Sequence, residues 1–405
     1  MSENIVVVYG SGASHASGYK VTIKNERGEI YKQIAPPTDQ SFFDEIQDDF
    51  LKEIYYALWM FKNTLFANNT TAGMEEIWTA IDLNHKHITL DTYNWIKETE
   101  TYKQESKKNR LVHCEMIENG IMAIDVLPYP LLDINPPISG AFFNTSPVYN
   151  KYKFLGDCGR DFRCLIYDVY SGYEVSPEQD CYKSLHELLE SSEFNSISYI
   201  TFNYDCYLEN SINSLQKEFK YIHSNFDTES INTVLDGGVP IIKLHGSLSW
   251  EHESNDKIIQ HENLKQVKPN YYNSEWIQPA IIPPTIFKQE INDDSRAADH
   301  LTRVILQQWK AAITILKNAD RIIFVGYSIP PADYHSKRIF QISSMLRKRS
   351  DRGVLKILDC IGPNDNIEKR NESLINIFGN NTDIQLQKDF KELVKSEELQ
   401  KFLNG

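Results

Sequence analysis

A continuous apolar segment followed by a glycine-rich loop, at residues 4–18, constrains the fold more than any other part of this chain. Four β-branched residues and a tyrosine, Ile5 to Tyr9, follow one another, which is typical of a strand buried on both faces of a parallel sheet. Gly10 then permits a tight turn, and Gly12 permits close approach of a ligand to the backbone. We therefore expect a loop that can hold a pyrophosphate group, with close packing of a helix on the sheet as the alternative role of these glycines.

Strands and helices alternate regularly from Ser196 to the end of the chain. Strands are predicted at 198–202, 239–244, 279–282, 321–325 and 355–360, and helices at 205–216, 295–317, 331–346 and 389–402. This alternation predicts an α/β fold with a doubly wound, mainly parallel sheet of the Rossmann-like type. Ligands bind outside the carboxyl ends of the strands in such sheets, so functional residues should follow strands.

The segment between the first two strands of this sheet has a different pattern. Polar residues 20–40 predict a surface loop, after which apolar residues recur at helical spacing. Further helices are predicted at 74–83, 91–103, 111–124, 150–170 and 181–191. We therefore interpret residues 26–194 as a large, mainly helical insertion, and residues 1–25 and 195–405 as the domain that contains the sheet.

Charge and cysteine content restrict the possible partners. The formal net charge is −14 and the Lys/Arg clusters are short, which argues against direct binding of nucleic acid. No segment reaches the ~18 apolar residues of a membrane helix, and no basic-then-apolar leader is found, so we expect a cytoplasmic location. The six cysteines include no Cys-x-x-Cys pair, which favours reduced thiols and predicts no metal site.

Polar residues follow the predicted strands at the edge where a ligand is expected. Asn203 and Asp205 come after the second strand of the sheet, and a carboxamide there can hold a ribose hydroxyl or orient a water molecule. Either residue could instead cap the next helix. His245, followed by Gly246, ends the next strand and could act as a general base near neutral pH, although a structural role is the alternative.

Together these motifs resemble those of the sirtuin superfamily. The loop is Gly10-Ser11-Gly12-Ala13-Ser14-His15-Ala16-Ser17-Gly18, and it departs from the family's Gly-Ala-Gly-x-Ser-x-x-x-Gly only at the second position. The segment Thr201-Phe202-Asn203-Tyr204-Asp205 is similar to that of the bacterial sirtuin-like branch, and Lys243-Leu244-His245-Gly246-Ser247 contains the family's histidine. The resemblance covers residues 1–25 and about 196–365.

This resemblance implies that the chain binds NAD⁺, and it implies a role for each matching residue. The residues implied in NAD⁺ binding are Gly10, Ser11, Gly12, Ala13, Ser14, Gly18, Gly326, Ser328 and Asn364. The implied catalytic residues are Asn203, which would orient the ribose and a water molecule, and His245, which would act as the base. Asp205 would help to hold this arrangement.

Two departures from the family indicate the kind of reaction. Protein-deacylating sirtuins have a zinc module with paired Cys-x-x-Cys motifs, which is missing here, and Tyr19-Lys20-Val21-Thr22-Ile23 replaces their Ile-Pro-x-Phe-Arg segment. The helical insertion and the Asn-Tyr-Asp context instead resemble sirtuin-like effectors of bacterial anti-phage defence, which destroy NAD⁺ when a partner senses infection. The expected activity is therefore metal-independent hydrolysis of NAD⁺ to nicotinamide and ADP-ribose.

Two other functions remain open at this stage. The same pocket could transfer ADP-ribose to an acceptor, or it could belong to a regulatory module that binds NAD⁺ or ADP-ribose without turnover, although such a module would not require both Asn203 and His245. Because uncontrolled NAD⁺ hydrolysis would be toxic, we expect a separate sensor or activator, such as a hexameric HerA-type ATPase or an Argonaute-like protein. We also expect homo-oligomerisation through the aromatic-rich insertion.

Overall fold

The computed structural model describes residues 3–24, 30–39, 41–46, 55–65, 72–81, 147–221, 238–253, 257–260, 278–282, 300–329, 334–350, 353–362 and 366–404. The chain divides into two compact units. The first comprises Met1–Thr38, Asp168–Ile282 and His300–Gly405, and the second comprises Asp39–Tyr167 and Pro283–Asp299. The predicted assignment of residues 26–194 to one insertion domain stays a prediction.

Both strands and helices occur in the described segments, numbered in chain order. The strands are β1 (Glu3–Tyr9), β2 (Val21–Lys24), β3 (Ile30–Ile34), β4 (Phe194–Thr201), β5 (Phe219–Tyr221), β6 (Val239–Lys243), β7 (Gly246–Glu253), β8 (Lys257–Gln260), β9 (Gln278–Ile281), β10 (Arg321–Val325), β11 (Leu355–Ile361) and β12 (Thr382–Lys388). The helices are α1 (Ser11–Ala16), α2 (Phe42–Glu45), α3 (Tyr56–Leu65), α4 (residues 74–81), α5 (Pro147–Ser171), α6 (Cys181–Glu190), α7 (Tyr207–Ser214), α8 (His300–Asn318), α9 (Tyr334–Arg349), α10 (Ile367–Phe378), α11 (Phe390–Leu393) and α12 (Glu397–Asn404).

A seven-stranded parallel sheet forms the centre of the first unit. Its strand order is β12-β11-β10-β1-β4-β6-β5, and every neighbouring pair is parallel. The predicted α/β fold with a doubly wound, mainly parallel sheet is therefore confirmed. The chain runs from β1 to one side of the sheet and later returns to β10 on the other side, so the carboxyl ends of β1 and β10 mark the point where ligands bind in such folds.

Strand β1 lies in the middle of this sheet and is covered on both faces. Val6 and Val8 pack in a cluster with residues of α8, α9 and α10. On the opposite face, the ring of Tyr9 contacts Tyr182 of α6 and Phe390 of α11, at centroid distances of 4.8 and 6.2 Å. The uninterrupted apolar sequence of β1 is explained by this burial, because neither face meets water.

Two segments of the first unit differ from the sequence-based expectation. The expected surface loop at residues 20–40 contains an antiparallel hairpin, β2–β3, which is consistent with the β-branched residues of the first strand, Val21, Thr22 and Ile23. The expected single helix at 389–402 is divided into α11 and α12. The hydroxyl of Ser396 accepts a hydrogen bond from the backbone N–H of Leu399, so this serine caps a new helix start.

The second unit has an aromatic core among its described residues. The ring of Phe162 in α5 lies 4.9 Å from that of Trp78 and 5.4 Å from that of Phe43. Asp39 accepts a hydrogen bond from the backbone N–H of Glu75 in α4. The helix predicted at 150–170 is confirmed as α5, whereas those predicted at 91–103 and 111–124 lie outside the described residues.

In the part of the chain that the structure describes, no helix is both long and apolar enough to cross a membrane.

Candidate active site

The glycine loop after β1 and the turn after β10 meet at the carboxyl edge of the sheet. The N–H of Gly10 donates to the carbonyl oxygen of Val325, and that of Gly12 donates to the carbonyl oxygen of Gly326, both at 3.1 Å. A Cβ on Gly10 would lie 2.6 Å from the Gly326 oxygen. The glycines therefore permit close contact between two backbone segments, the glycine loop and the turn after β10.

The same hydrogen bonds limit how the loop could hold a phosphate group. The N–H groups of Gly10, Gly12 and Ala13 all donate to backbone carbonyl oxygens of the protein. Ser11 is exposed in the first turn of α1, where N–H groups have no intrahelical acceptor. A phosphate at this edge would thus be bound by donors such as Ser11, or it would replace one of these bonds.

Replacing Gly326 by alanine is expected to lower the free energy of unfolding by about 1–3 kcal/mol from backbone strain. Gly326 has a φ of +61°, and an added Cβ would overlap the backbone of Gly12 and Ala13. Urea unfolding measures the loss. Gly353→Ala is the control, since a Cβ there meets no atom within 4 Å, and an equal loss in both variants would contradict the assignment.

Gly18 serves a different contact from the other glycines. Its φ is +100°, and a Cβ would overlap the carbonyl oxygen of Gln179, just before α6. The N–H of Cys181 also donates to the carbonyl oxygen of Ser17 at 2.9 Å. Gly18 therefore fits the start of α6 against the loop, and a role in NAD⁺ binding stays a prediction.

Ser14, Asn203 and Asp205 form a buried hydrogen-bonded cluster at this edge. The Ser14 hydroxyl donates to Oδ2 of Asp205 at 2.6 Å. Nδ2 of Asn203 donates to Oγ of Ser14 and to the carbonyl oxygen of Gly10, both at 2.9 Å. The structure thus brings together three residues that the sequence analysis selected from widely separated segments.

When Asp205 is ionised, the direction of these hydrogen bonds is fixed. An ionised Asp205 can only accept, so the Ser14 hydrogen points to it, and Ser14 Oγ must then accept from Asn203. The phenol of Tyr182 lies 3.2 Å from Ser14 Oγ, and with Asp205 ionised it is the donor of that pair. Both hydrogens of the Asn203 amide are used in this way, which leaves its carboxamide oxygen as the acceptor that these two hydrogen bonds do not use.

A buried ion pair lies beside Asp205. Nζ of Lys243 is 3.0 Å from Oε1 of Glu209 and also donates to the backbone carbonyl oxygen of Asp205. Burial raises the pKa of Asp205, whereas the Lys243 ammonium and the Ser14 hydrogen bond act in the opposite direction. The charge of Asp205 therefore depends on its neighbours.

His245 lies just after the neighbouring strand β6 and is 4 % exposed. Its ring lies among aromatic side chains, with centroid distances of 5.6 Å to Phe202, 6.0 Å to Tyr204 and 6.4 Å to Trp309. Gly246 follows with a φ of +84°, which turns the chain from β6 into β7. Largely apolar surroundings of this kind restrict the access of water to an imidazole.

An arginine side chain holds the backbone of the turn after β10. The guanidinium of Arg370 in α10 donates to both carboxylate oxygens of Asp359, at 2.5 and 3.1 Å. It also donates to the carbonyl oxygens of Tyr327 and Ser328, at 2.7 and 2.6 Å. The turn therefore has a fixed backbone, while the side chain of Ser328 is exposed. Asn364 lies outside the described residues.

Three residues of this edge, Lys243, Tyr182 and Arg370, were missed by the sequence analysis. A lysine that ends an otherwise apolar strand, as Lys243 does, is a signal that could have been followed, because a buried ammonium requires a partner. Tyr182 and Arg370 lie within ordinary amphipathic helices and carry no such signal.

Within the described ranges, no group of three or more His, Cys, Asp or Glu side chains is placed to hold a metal ion.

In a comparison with family models, residues 197–372 of this chain match the SIR2-like domain. The match covers less than half of the chain, and it includes Asn203, Asp205, His245, Gly326 and Ser328 but not the glycine loop. It supports a sirtuin-like family, implies NAD binding, and indicates an NAD-utilising enzyme. No curated protein matches the chain.

Proposed function

We propose that this chain, whose sheet carries a SIR2-like domain, is an NAD⁺ glycohydrolase that cleaves NAD⁺ to nicotinamide and ADP-ribose. The observation that carries the proposal is the cluster of Ser14, Asn203 and Asp205 at the carboxyl edge of the sheet, beside strand β6, which is followed by His245. This is the edge at which a doubly wound sheet binds its ligand.

Cleavage of the bond between nicotinamide and ribose needs little acid catalysis. Nicotinamide leaves NAD⁺ as a neutral pyridine, and the ribose becomes oxocarbenium-like in the transition state, as in other glycoside cleavages. The protein must therefore hold the ribose, stabilise a developing positive charge and admit one water molecule. Asp205 and Glu209 are opposed by one ammonium, that of Lys243, so when ionised this buried cluster favours a cation nearby.

In this proposal Asn203 orients the reactants and His245 acts as the general base. The carboxamide oxygen of Asn203 is the free acceptor of its cluster and orients the ribose and the attacking water. His245 removes a proton from that water or from a ribose hydroxyl. The aromatic rings around His245 exclude other water molecules, so that the reaction takes place in a site of low polarity.

Regulation forms a second part of the proposal. Depletion of NAD⁺ is lethal to a cell, so the activity serves anti-phage defence and is released by a separate sensor or activator, such as a HerA-type ATPase or an Argonaute-like protein. Homo-oligomerisation of the chain accompanies activation.

Product analysis of NAD⁺ incubated with the purified protein, at several protein concentrations, tests the reaction itself. Hydrolysis yields nicotinamide and free ADP-ribose in equal amounts. Nicotinamide together with a covalent ADP-ribose adduct, detected by mass spectrometry, would show transfer instead. NAD⁺ that binds but stays intact, also after addition of the activator, would show a regulatory module.

In the same assay, Asn203→Ala is expected to lower kcat by about 10²-fold, the usual cost of losing one preorganised hydrogen-bonding group. Asn210→Ala is the matched control, because Asn210 is exposed on α7. Parental kcat in a folded Asn203→Ala protein would contradict the role given to this side chain.

A further inference from the structure

We propose that Trp309 is a positioning residue: its indole group holds the peptide group that precedes His245, and thereby keeps the imidazole where the base is needed. This inference rests on the proposed function for the role of His245 as the base. The hold of Trp309 on His245 follows from contacts in the structure and can be measured without NAD⁺.

The end of strand β6 is paired on one side only. Its pairing with the edge strand β5 stops at Ile241, two residues before β6 ends. On the other side β6 stays paired with β4, and the N–H of Leu244 donates to the carbonyl oxygen of Thr201 at 3.0 Å. Successive N–H groups of a strand point to opposite sides, so that of Lys243 faces the side on which β5 has ended.

Helix α8 binds this strand end through two consecutive side chains. Oε1 of Gln308, which is 0 % exposed, accepts a hydrogen bond from the N–H of Lys243 at 3.2 Å. Nε1 of Trp309 donates to the carbonyl oxygen of Leu244 at 2.8 Å. The backbone just before His245 is therefore fixed to α8 as well as to β4.

The bond from Trp309 acts on the residue that follows Leu244. The carbonyl group of Leu244 and the N–H of His245 belong to one planar peptide group, so holding the oxygen restricts ψ of Leu244 and φ of His245. The direction of the His245 side chain depends on that φ. Gly246, the next residue, has a φ of +84° and no side chain that could anchor the turn.

The indole ring of Trp309 also lies beside the imidazole. The two ring centroids are 6.4 Å apart and the ring planes are inclined by 28°. Phe202 contacts the imidazole with its ring plane inclined by 73°, and the carbonyl oxygen of His245 accepts from the N–H of Ile282 at 2.9 Å. Trp309 thus contacts both the ring of His245 and the peptide group before it.

Trp309→Phe tests the inference, because it keeps an aromatic ring and removes the indole N–H. The kcat for NAD⁺ hydrolysis should fall on the order of 10²-fold, the effect expected when a catalytic group is displaced by about 1 Å. KM should stay close to the parental value, since Trp309 holds the base and not the substrate. Parental kcat in the folded variant would overturn the role of Trp309, and a raised KM alone would assign it to substrate binding instead.

Trp250→Phe is the matched control for this substitution. Trp250 lies on β7, is 0 % exposed, and its Nε1 has no hydrogen-bond partner among the described residues. The same change there removes buried volume but no hydrogen bond, so it should lower stability while kcat stays close to the parental value. An equal loss of kcat in both variants would mean that packing explains the effect, and the inference would fail.

A double variant with His245→Ala separates positioning from packing. If Trp309 acts through His245, Trp309→Phe should lower kcat no further once the imidazole has been removed. The low rate of the His245→Ala background is measured at high protein concentration. The same loss of kcat with and without His245 would overturn the inference and leave the proposed function standing.

Carbon-13 relaxation of the His245 ring, in protein with labelled histidine and without NAD⁺, provides the independent measurement. The signal of His245 is the one missing from His245→Ala. Motion of the ring should increase in Trp309→Phe and stay parental in Trp250→Phe. This result without any NAD⁺ hydrolysis would support the hold of Trp309 on His245 and overturn the proposed function. Unchanged ring motion in Trp309→Phe would overturn the inference.

Discussion

His245→Ala is expected to lower kcat for NAD⁺ hydrolysis by about 10²–10⁴-fold, which is the usual contribution of a general base. The imidazole lies just after strand β6, among the aromatic side chains of Phe202 and Trp309. Chromatography of nicotinamide and ADP-ribose measures the loss, and the unfolding temperature shows whether the fold is kept.

Free imidazole separates a base from a structural histidine. The space left in His245→Ala can admit the small molecule, so added imidazole should restore part of kcat if the missing group is a base. No restoration at any imidazole concentration, in a protein whose unfolding temperature is also lowered, would assign His245 to packing of the β6–β7 turn.

Arg370→Ala is expected to lower the free energy of unfolding by about 3–5 kcal/mol, the typical effect of breaking a buried ion pair. The substitution leaves Asp359, which is 1 % exposed, without its counter-charge, and it removes two hydrogen bonds from the turn after β10. Urea unfolding followed by circular dichroism measures the change.

Lys369→Ala, on the same helix and exposed, is the matched control for this substitution. It should unfold close to the parent, since single exposed charges contribute about 0–1 kcal/mol. Equal stability of the two variants would mean that Arg370 does not hold the turn, and the fixed backbone of Tyr327 and Ser328 would need another cause.

Much of the fold could be predicted because it depends on local pattern. The strand at Arg321–Val325 was predicted with its observed bounds, and β1 was predicted as a strand buried on both faces of a parallel sheet from its apolar sequence alone. The hairpin β2–β3 was missed, because its pairing is decided by a partner segment and not by the polarity of either strand. Strand β12 was missed as well. Its alternating polar residues suit an edge strand, but only its pairing with β11 shows that it belongs to the sheet.

The candidate site could be predicted only as single residues. Ser14 and Asp205 are 191 positions apart, and nothing in either segment shows that the Ser14 hydroxyl donates a hydrogen bond to the Asp205 carboxylate. Glycine patterns have a similar limit, because Gly18 satisfies a contact with Gln179 in the structure while matching a motif associated with a ligand. The site assignment therefore stays a prediction that the proposed variants test.

The central place of β1 in the sheet has a consequence for protein synthesis. This strand leaves the ribosome before both of its neighbours, β4 and β10, and its residue Asn4 bonds to Asp320, 316 positions later. Parallel pairing over such separations cannot form until the later strand has been made. An unfinished copy therefore lacks the edge at which Gly10 meets Gly326, and the candidate site forms only after β10 has been synthesised.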